Sequence, residues 1–161
     1  MKWLIKGFDP VIDEECTCLI LGSMPSVTSL AVSEYYGHPQ NRFWKMMSKL
    51  LDGSINTYEE KKQLLLSNHI ALWDVIECCE REGSLDSAIE NEVENDVIAL
   101  LEEYPKIELI LCNGRKAYDT LLRKWPSLKE KTMYLPSTSP ANAGCKFDSL
   151  LITWGEYITK R

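Results

Sequence analysis

Histidine is scarce in this 161-residue chain, with two in all, and none of the six cysteines stands at Cys-x-x-Cys spacing from another. A metal site built on histidines or paired thiols is left without its ligands. Cys16 and Cys18 fall in an apolar run, Cys78 and Cys79 are adjacent, and Cys112 and Cys145 stand alone. They are read as reduced thiols, mostly buried as small hydrophobes, with no metal and no cofactor expected. Long apolar runs are missing too, so no segment can span a bilayer and no membrane partner is expected. The first residues carry Lys2 and Lys6 but lack the apolar stretch of a secretory leader, which makes the cytoplasm the expected compartment. Repeats, low-complexity tracts and linkers are absent. With 45% hydrophobic residues, the chain is expected to fold as one domain over 1–161 with a full core.

A positive surplus is also missing. The net charge of −6 argues, as an average, against a nucleic-acid partner. The charge is uneven, however. Residues 74–108 hold twelve acidic side chains against Arg81 and Lys106, whereas residues 109–161 hold nine basic against four acidic ones. Residues 22–50 contribute Arg42, Lys45 and Lys49 against Glu34. The acidic middle fits a solvated face turned away from DNA, and the remaining segments are free to meet it.

What is present centres on an apolar run over 16–21 that ends in Gly22-Ser23-Met24-Pro25-Ser26. That pattern reads as a buried strand delivering a tight polar loop to a sheet edge, where α/β proteins keep their sites. Pro39 disfavours helix at Gln40, Asn41 is a good N-cap, and Phe43, Trp44, Met46, Met47, Leu50 and Leu51 fall at helical spacing. A helix therefore starts at or just after Asn41, and its N-terminus suits an anion or an electron-rich heteroatom.

Further strands are expected over 69–76, 107–112 and 132–135. Residues 1–15 form a mixed lead-in with Trp3, Leu4, Ile5 and Phe8 packing on the domain. Helices are expected over 58–67 and 85–89, from a cap at Asn95 or Asp96 with Val97, Ile98, Leu101 and Tyr104 inward, after Asn113-Gly114 up to Pro126, and from Phe147 to Ile158. The stretch 77–95 reads as polar and poorly periodic. Strands alternating with helices imply a four-stranded parallel sheet with helices on both faces, a three-layer α/β/α fold.

Gly22-Ser-Met-Pro-Ser26, Tyr35-Tyr-Gly-His-Pro-Gln-Asn-Arg-Phe-Trp44 and Leu135-Pro-Ser-Thr-Ser-Pro-Ala-Asn142 together resemble the uracil-DNA glycosylase superfamily. Within it the pattern is most similar to the hypoxanthine-DNA (deoxyinosine) glycosylase family, a likeness that also takes in 72–75, 83–86 and 112–114. The His-Pro-x-Asn-Arg-Phe-Trp segment is shared with mismatch-specific thymine/uracil glycosylases. The resemblance implies a monofunctional glycosylase that hydrolyses the N-glycosidic bond of a deaminated base in DNA, leaves an abasic site and acts as a monomer. An enzyme preferring uracil or thymine opposite guanine and a non-catalytic nucleotide-binding module are the alternatives.

Glycosidases acting on O-glycosides use two carboxylates, and none sits in these motifs. A purine leaves far more easily than a sugar alkoxide, so polar uncharged helpers can suffice. The superfamily's first motif often has Asp or Asn before its proline; here that residue is Met24. The resemblance to the hypoxanthine type then gives the catalytic role to Asn41, which can orient water or stabilise charge but cannot act as a base. Gly22, Ser23, Met24, Pro25 and Ser26 are expected to shape the base pocket. Tyr36 holds the position where relatives put an aromatic ring against the flipped base. His38 is expected beside the pocket as a brace of its turn, and Asp74 as an acceptor for hypoxanthine N1–H. Pro136, Ser137, Thr138, Ser139, Pro140 and Asn142 correspond to the loop that enters the minor groove.

Overall fold

Apolar runs bounded by polar turns become parallel strands in the computed structural model, which describes residues 3–159. In chain order the elements begin with β1 (Trp3–Lys6), β2 (Cys18–Gly22), α1 (Val27–Val32), α2 (Phe43–Leu51), α3 (Tyr58–Ser67), β3 (Ile70–Asp74) and β4 (Ile76–Arg81). They continue with β5 (Glu90–Glu94), α4 (Val97–Glu103), β6 (Leu109–Asn113), α5 (Arg115–Lys124), β7 (Thr132–Leu135) and α6 (Phe147–Gly155).

The central sheet has the order β3-β2-β6-β7, and every pairing in it is parallel. All five residues of β2 are buried, as a strand covered on both faces requires. Its side chains alternate between two cores. Cys18 and Ile20 join Phe43, Met46 and Met47 of α2, Leu64 and Leu65 of α3 and Trp154 of α6. Leu19 and Leu21 join Val97 and Leu100 of α4 and Ala117 and Leu121 of α5. The expected three-layer architecture follows from that alternation.

A second sheet, antiparallel and ordered β1-β4-β5, was not legible in the sequence. β4 and β5 sit in the acidic stretch around 77–95 and expose much of one face, so charged residues mask the period. The buried face is short, with Ile76, Cys79 and Ile89 meeting Met24 and Ile5. The strand expected over 69–76 accordingly splits: β3 stops at Asp74, Val75 N–H bonds the Gly22 carbonyl at 2.8 Å, and Ile76 opens β4. The helix expected over 85–89 is a single 3-10 turn, Asp86–Ala88.

Of the lead-in, Ile5 and Phe8 pack as expected, Leu4 is 76% exposed, and the side chain of Trp3 lies outside the described residues. The expected strands 16–21 and 107–112 each shift toward their C-terminal ends. α1 was not expected; Ser26 caps it by accepting from Ser29 N–H. In α4 the deepest residues are Val97 and Leu100, with Ile98, Leu101 and Tyr104 only half-buried, and Asp96 supplies the cap by accepting from Ala99 N–H. All six cysteines are free thiols, Cys16, Cys18, Cys79 and Cys112 being buried. Burial pushes the Cys112 thiol up to about 12.

Candidate active site

Parallel strands end level with one another, and here that alignment builds a site. Gly22 pairs with Asp74, and Asn113 with Leu135, at the C-terminal ends of β2, β3, β6 and β7. A cavity of about 390 Å³ opens there, the usual place for a ligand in an open α/β sheet. The 22–26 loop, Tyr36, Asn41, the 84–87 turn, Asn113 to Arg115 and the 137–139 loop surround it.

Asn41 is held in one orientation. Its Oδ1 accepts Phe43 N–H at 3.0 Å and the Thr138 hydroxyl at 2.9 Å. A backbone N–H can only donate, so the atom facing Phe43 must be the oxygen, and the amide Nδ2 is the end left over. Thr138, fully buried, is in turn bound twice by Asn113: its Oγ1 accepts from Nδ2 at 3.0 Å and its N–H donates to Oδ1 at 3.0 Å. Arg42, not Asn41, occupies the N-cap position of α2 and makes no side-chain cap bond. Asn41 satisfies the first helical N–H from one residue further back. The expected cap is thus displaced by one residue, because Arg42 is drawn toward the opposite loop.

At the cavity floor Gly22 makes room for two side chains. A β-carbon there would lie 2.5 Å from Asp74 Oδ1 and 2.7 Å from Tyr36 Oη. Tyr36 has a left-handed backbone, φ 53°, and its ring stacks on Phe43 with centroids 4.2 Å apart. Tyr36 Oη and Asp74 Oδ2 are buried without a hydrogen-bond partner. Burial, and secondly the charge of Asp86, raise Asp74 to about 7, against a weaker pull from Arg81.

Ser23 does not offer its hydroxyl hydrogen to the cavity; it donates to Asp86 Oδ1 at 2.6 Å. Behind this wall Arg81 is 2% exposed and donates through Nη2 to the Pro25 carbonyl, pinning the 22–26 loop. The opposite loop is pinned by Arg42. Its guanidinium donates to the carbonyls of Thr138, Ser139, Asn142 and Cys145, and so is consumed inside the protein. Ser137 Oγ accepts Ser139 N–H, Ser139 Oγ accepts Ala141 N–H, and Asn142 donates to the Ser137 carbonyl, which folds the loop on itself.

Most of the expected site residues line the cavity: Gly22 to Ser26, Tyr36, Asn41 and Asp74 on one side, Ser137, Thr138, Ser139 and Asn142 on the other. His38, Pro136 and Pro140 do not. His38 Nδ1 accepts Gln40 N–H at 3.1 Å, so the ring braces its turn, and the Pro136 carbonyl accepts from Trp154 of α6. The lining residues that went unassigned in the sequence include Tyr35, Asp86, Asn113, Arg115 and Tyr134. Asp86 and Asn113 lay within short motifs that carried the resemblance. Arg115 and Tyr134 had no signal, since they meet only through the fold, with the guanidinium 4.1 Å above the Tyr134 ring. Among the described residues no three His, Cys, Asp or Glu side chains come together where they could hold a metal ion.

The sequence profile of the uracil DNA glycosylase superfamily matches residues 10–151. A hypoxanthine DNA glycosylase of Methanosarcina acetivorans is 44% identical over 141 residues, covering 85% of this chain and 87% of that protein. One from Methanosarcina barkeri is 38% identical over the same shares. A G/U mismatch-specific uracil DNA glycosylase of Schizosaccharomyces pombe is 31% identical over 64% of this chain and 31% of its own length. In three dimensions the chain resembles the solution NMR structure of a candidate uracil DNA glycosylase from Methanosarcina acetivorans, with a TM-score of 0.82, 40% identity and 96% of each chain covered.

Proposed function

The chain belongs to the uracil DNA glycosylase superfamily, and from that membership we propose that it excises hypoxanthine from deoxyinosine-containing DNA, hydrolysing the N-glycosidic bond and leaving an abasic site. The observation that carries the reading is the Asn41 amide, whose oxygen is fully engaged while its Nδ2–H donors remain available beside the cavity.

An orientation of that kind favours one of the two roles open to an amide. With both oxygen lone pairs engaged, Asn41 is a poor acceptor for an attacking water but a good donor toward negative charge developing on a departing base. The deaminated nucleotide would be extruded into the cavity, Tyr36 forming an aromatic wall and Asp74 accepting from N1–H. Cleavage would run through an oxocarbenium-like sugar, with the purine leaving as an anion stabilised by fixed donors. The protein would act as a monomer.

The likeness to the G/U mismatch-specific enzyme supports a second reading, in which uracil opposite guanine is the preferred substrate. Duplexes carrying a single hypoxanthine, uracil or thymine, incubated with excess enzyme and then treated with alkali to cut abasic sites, distinguish the two. Hypoxanthine released fastest is the expected result. Uracil released faster, or no release of any base, would overturn it.

A further inference from the structure

Buried polar groups without partners are uncommon, because each loses its bonds to water and regains nothing. Two of them face the same small volume here. Tyr36 Oη and Asp74 Oδ2 have no hydrogen-bond partner, and Tyr36 Oη and Asp74 Oδ1 crowd the same point above Gly22, at a spot a β-carbon would fill. No bond of its own holds the Tyr36 hydroxyl in this position. Its left-handed backbone and the stack on Phe43 do so, a strain the surrounding fold maintains.

Resting on the reading of this cavity as a purine pocket, we propose that Tyr36 Oη and the Asp74 carboxyl together read the lactam edge of the base, Tyr36 donating to O6 and Asp74 accepting from N1–H. A lactam presents an acceptor next to a donor, and the pair answers with a donor next to an acceptor. Burial, and secondly the charge on Asp74, oppose ionisation of Tyr36, so its hydroxyl stays a donor at neutral pH. The Asn113 amide weakly opposes that rise without reaching a hydrogen bond. Gly22 is a condition of the arrangement, since any side chain at that position would displace one of the two oxygens.

Tyr36→Phe removes the hydroxyl and keeps the ring on Phe43. Single-turnover excision is measured for wild type and variant on duplexes carrying hypoxanthine and on duplexes carrying unsubstituted purine, which lacks O6. The difference in leaving ability between the two bases cancels when the variant-to-wild-type ratios are compared. The variant is expected to slow hypoxanthine release about 10- to 100-fold, the effect of leaving one buried polar atom unpaired, and purine release by less than about threefold. The same bases on a non-hydrolysable 2′-fluoro sugar, with binding read by anisotropy, give that ratio without chemistry. Equal slowing on both bases, or none on either, would overturn the pairing. A wild-type enzyme that frees no hypoxanthine would instead overturn the function itself. Gly22→Ala is the second variant: loss of hypoxanthine release with an unchanged melting curve supports the reader, and full activity contradicts it.

Discussion

Thr138 donates its hydroxyl hydrogen to the side-chain oxygen of Asn41 at 2.9 Å, across 97 residues of chain. That bond joins the loop before α2 to the loop after β7, and with Phe43 N–H it fills the amide oxygen. The amide therefore cannot rotate without breaking two bonds.

Cap and catalyst can be separated at this residue. Asn41→Asp keeps an oxygen toward Phe43 and Thr138 but replaces the Nδ2–H donors with an anionic acceptor. It should melt near wild type and lose roughly 10²- to 10³-fold in single-turnover excision, the scale of one preorganised donor. Asn41→Ser should lose a similar factor, since its hydroxyl can cap but cannot reach as far. Asn41→Ala should in addition lose about 1 kcal/mol of stability. A fully active Asn41→Ser enzyme would make Asn41 a helix cap and nothing more.

Asp74 ties stability to pH. Its carboxyl is raised from 3.8 to about 7, so the native state binds that proton more tightly than the unfolded chain does. The stability attached to this group is complete below about pH 4 and is lost as pH rises through 7. The groups facing it are Asp86 from the 84–87 turn, Arg81 from β4, and the neutral phenols of Tyr35 and Tyr36. Asp74→Asn cannot ionise, so it should melt several degrees above wild type at pH 8, with the gap shrinking toward pH 5. A carboxylate beside a departing purine anion is also unfavourable. Wild-type excision should therefore fall above about pH 7, and the asparagine variant should not follow.

Arg42 should matter for stability more than for phosphate binding, because four carbonyls of the 138–145 segment use its guanidinium. Arg42→Lys keeps the charge, yet one ammonium cannot span those acceptors. A loss of about 2–3 kcal/mol in urea denaturation is expected, the scale of hydrogen bonds to a charged group. Unchanged stability with weakened DNA binding would reverse the assignment.

Arg115 is the basic residue at the cavity mouth whose side chain stays mostly in solvent, 62% exposed, and its ion pair with Asp119 is long at 3.7 Å. Arg115→Ala should weaken DNA binding about equally for every base in the pocket. It should also reduce the log–log salt slope by roughly 1, the signature of one phosphate contact. An unchanged slope would leave Arg115 as a partner of Tyr134 and Asp119 within the protein.

Local signals made much of this protein legible in its sequence. Apolar runs such as Leu19 to Leu21 and Ile110 to Cys112 announce buried strands because a strand covered on both faces has no polar alternation to hide it. The helix after Asn41 follows from Pro39 and the spacing of Phe43, Met46 and Met47. The motif residues around Gly22, Asn41 and Ser137 to Asn142 were recognisable through their resemblance to the uracil DNA glycosylase superfamily, and each sits at a strand end or near a helix start.

Other features depended on contacts between distant segments. β4 and β5 are acidic strands stabilised by pairing with one another and, for β4, with β1, and their charges erase the period that would reveal them. Which end of the Asn41 amide faces the cavity was undetermined until the fold brought Thr138 to its oxygen. Arg42 and Arg115 look alike in the sequence, yet one is spent on carbonyls 96 to 103 residues away and the other stands in solvent. The protonation of Asp74 was likewise undetermined by sequence, for it depends on burial and on Asp86, two consequences of where the chain folds back.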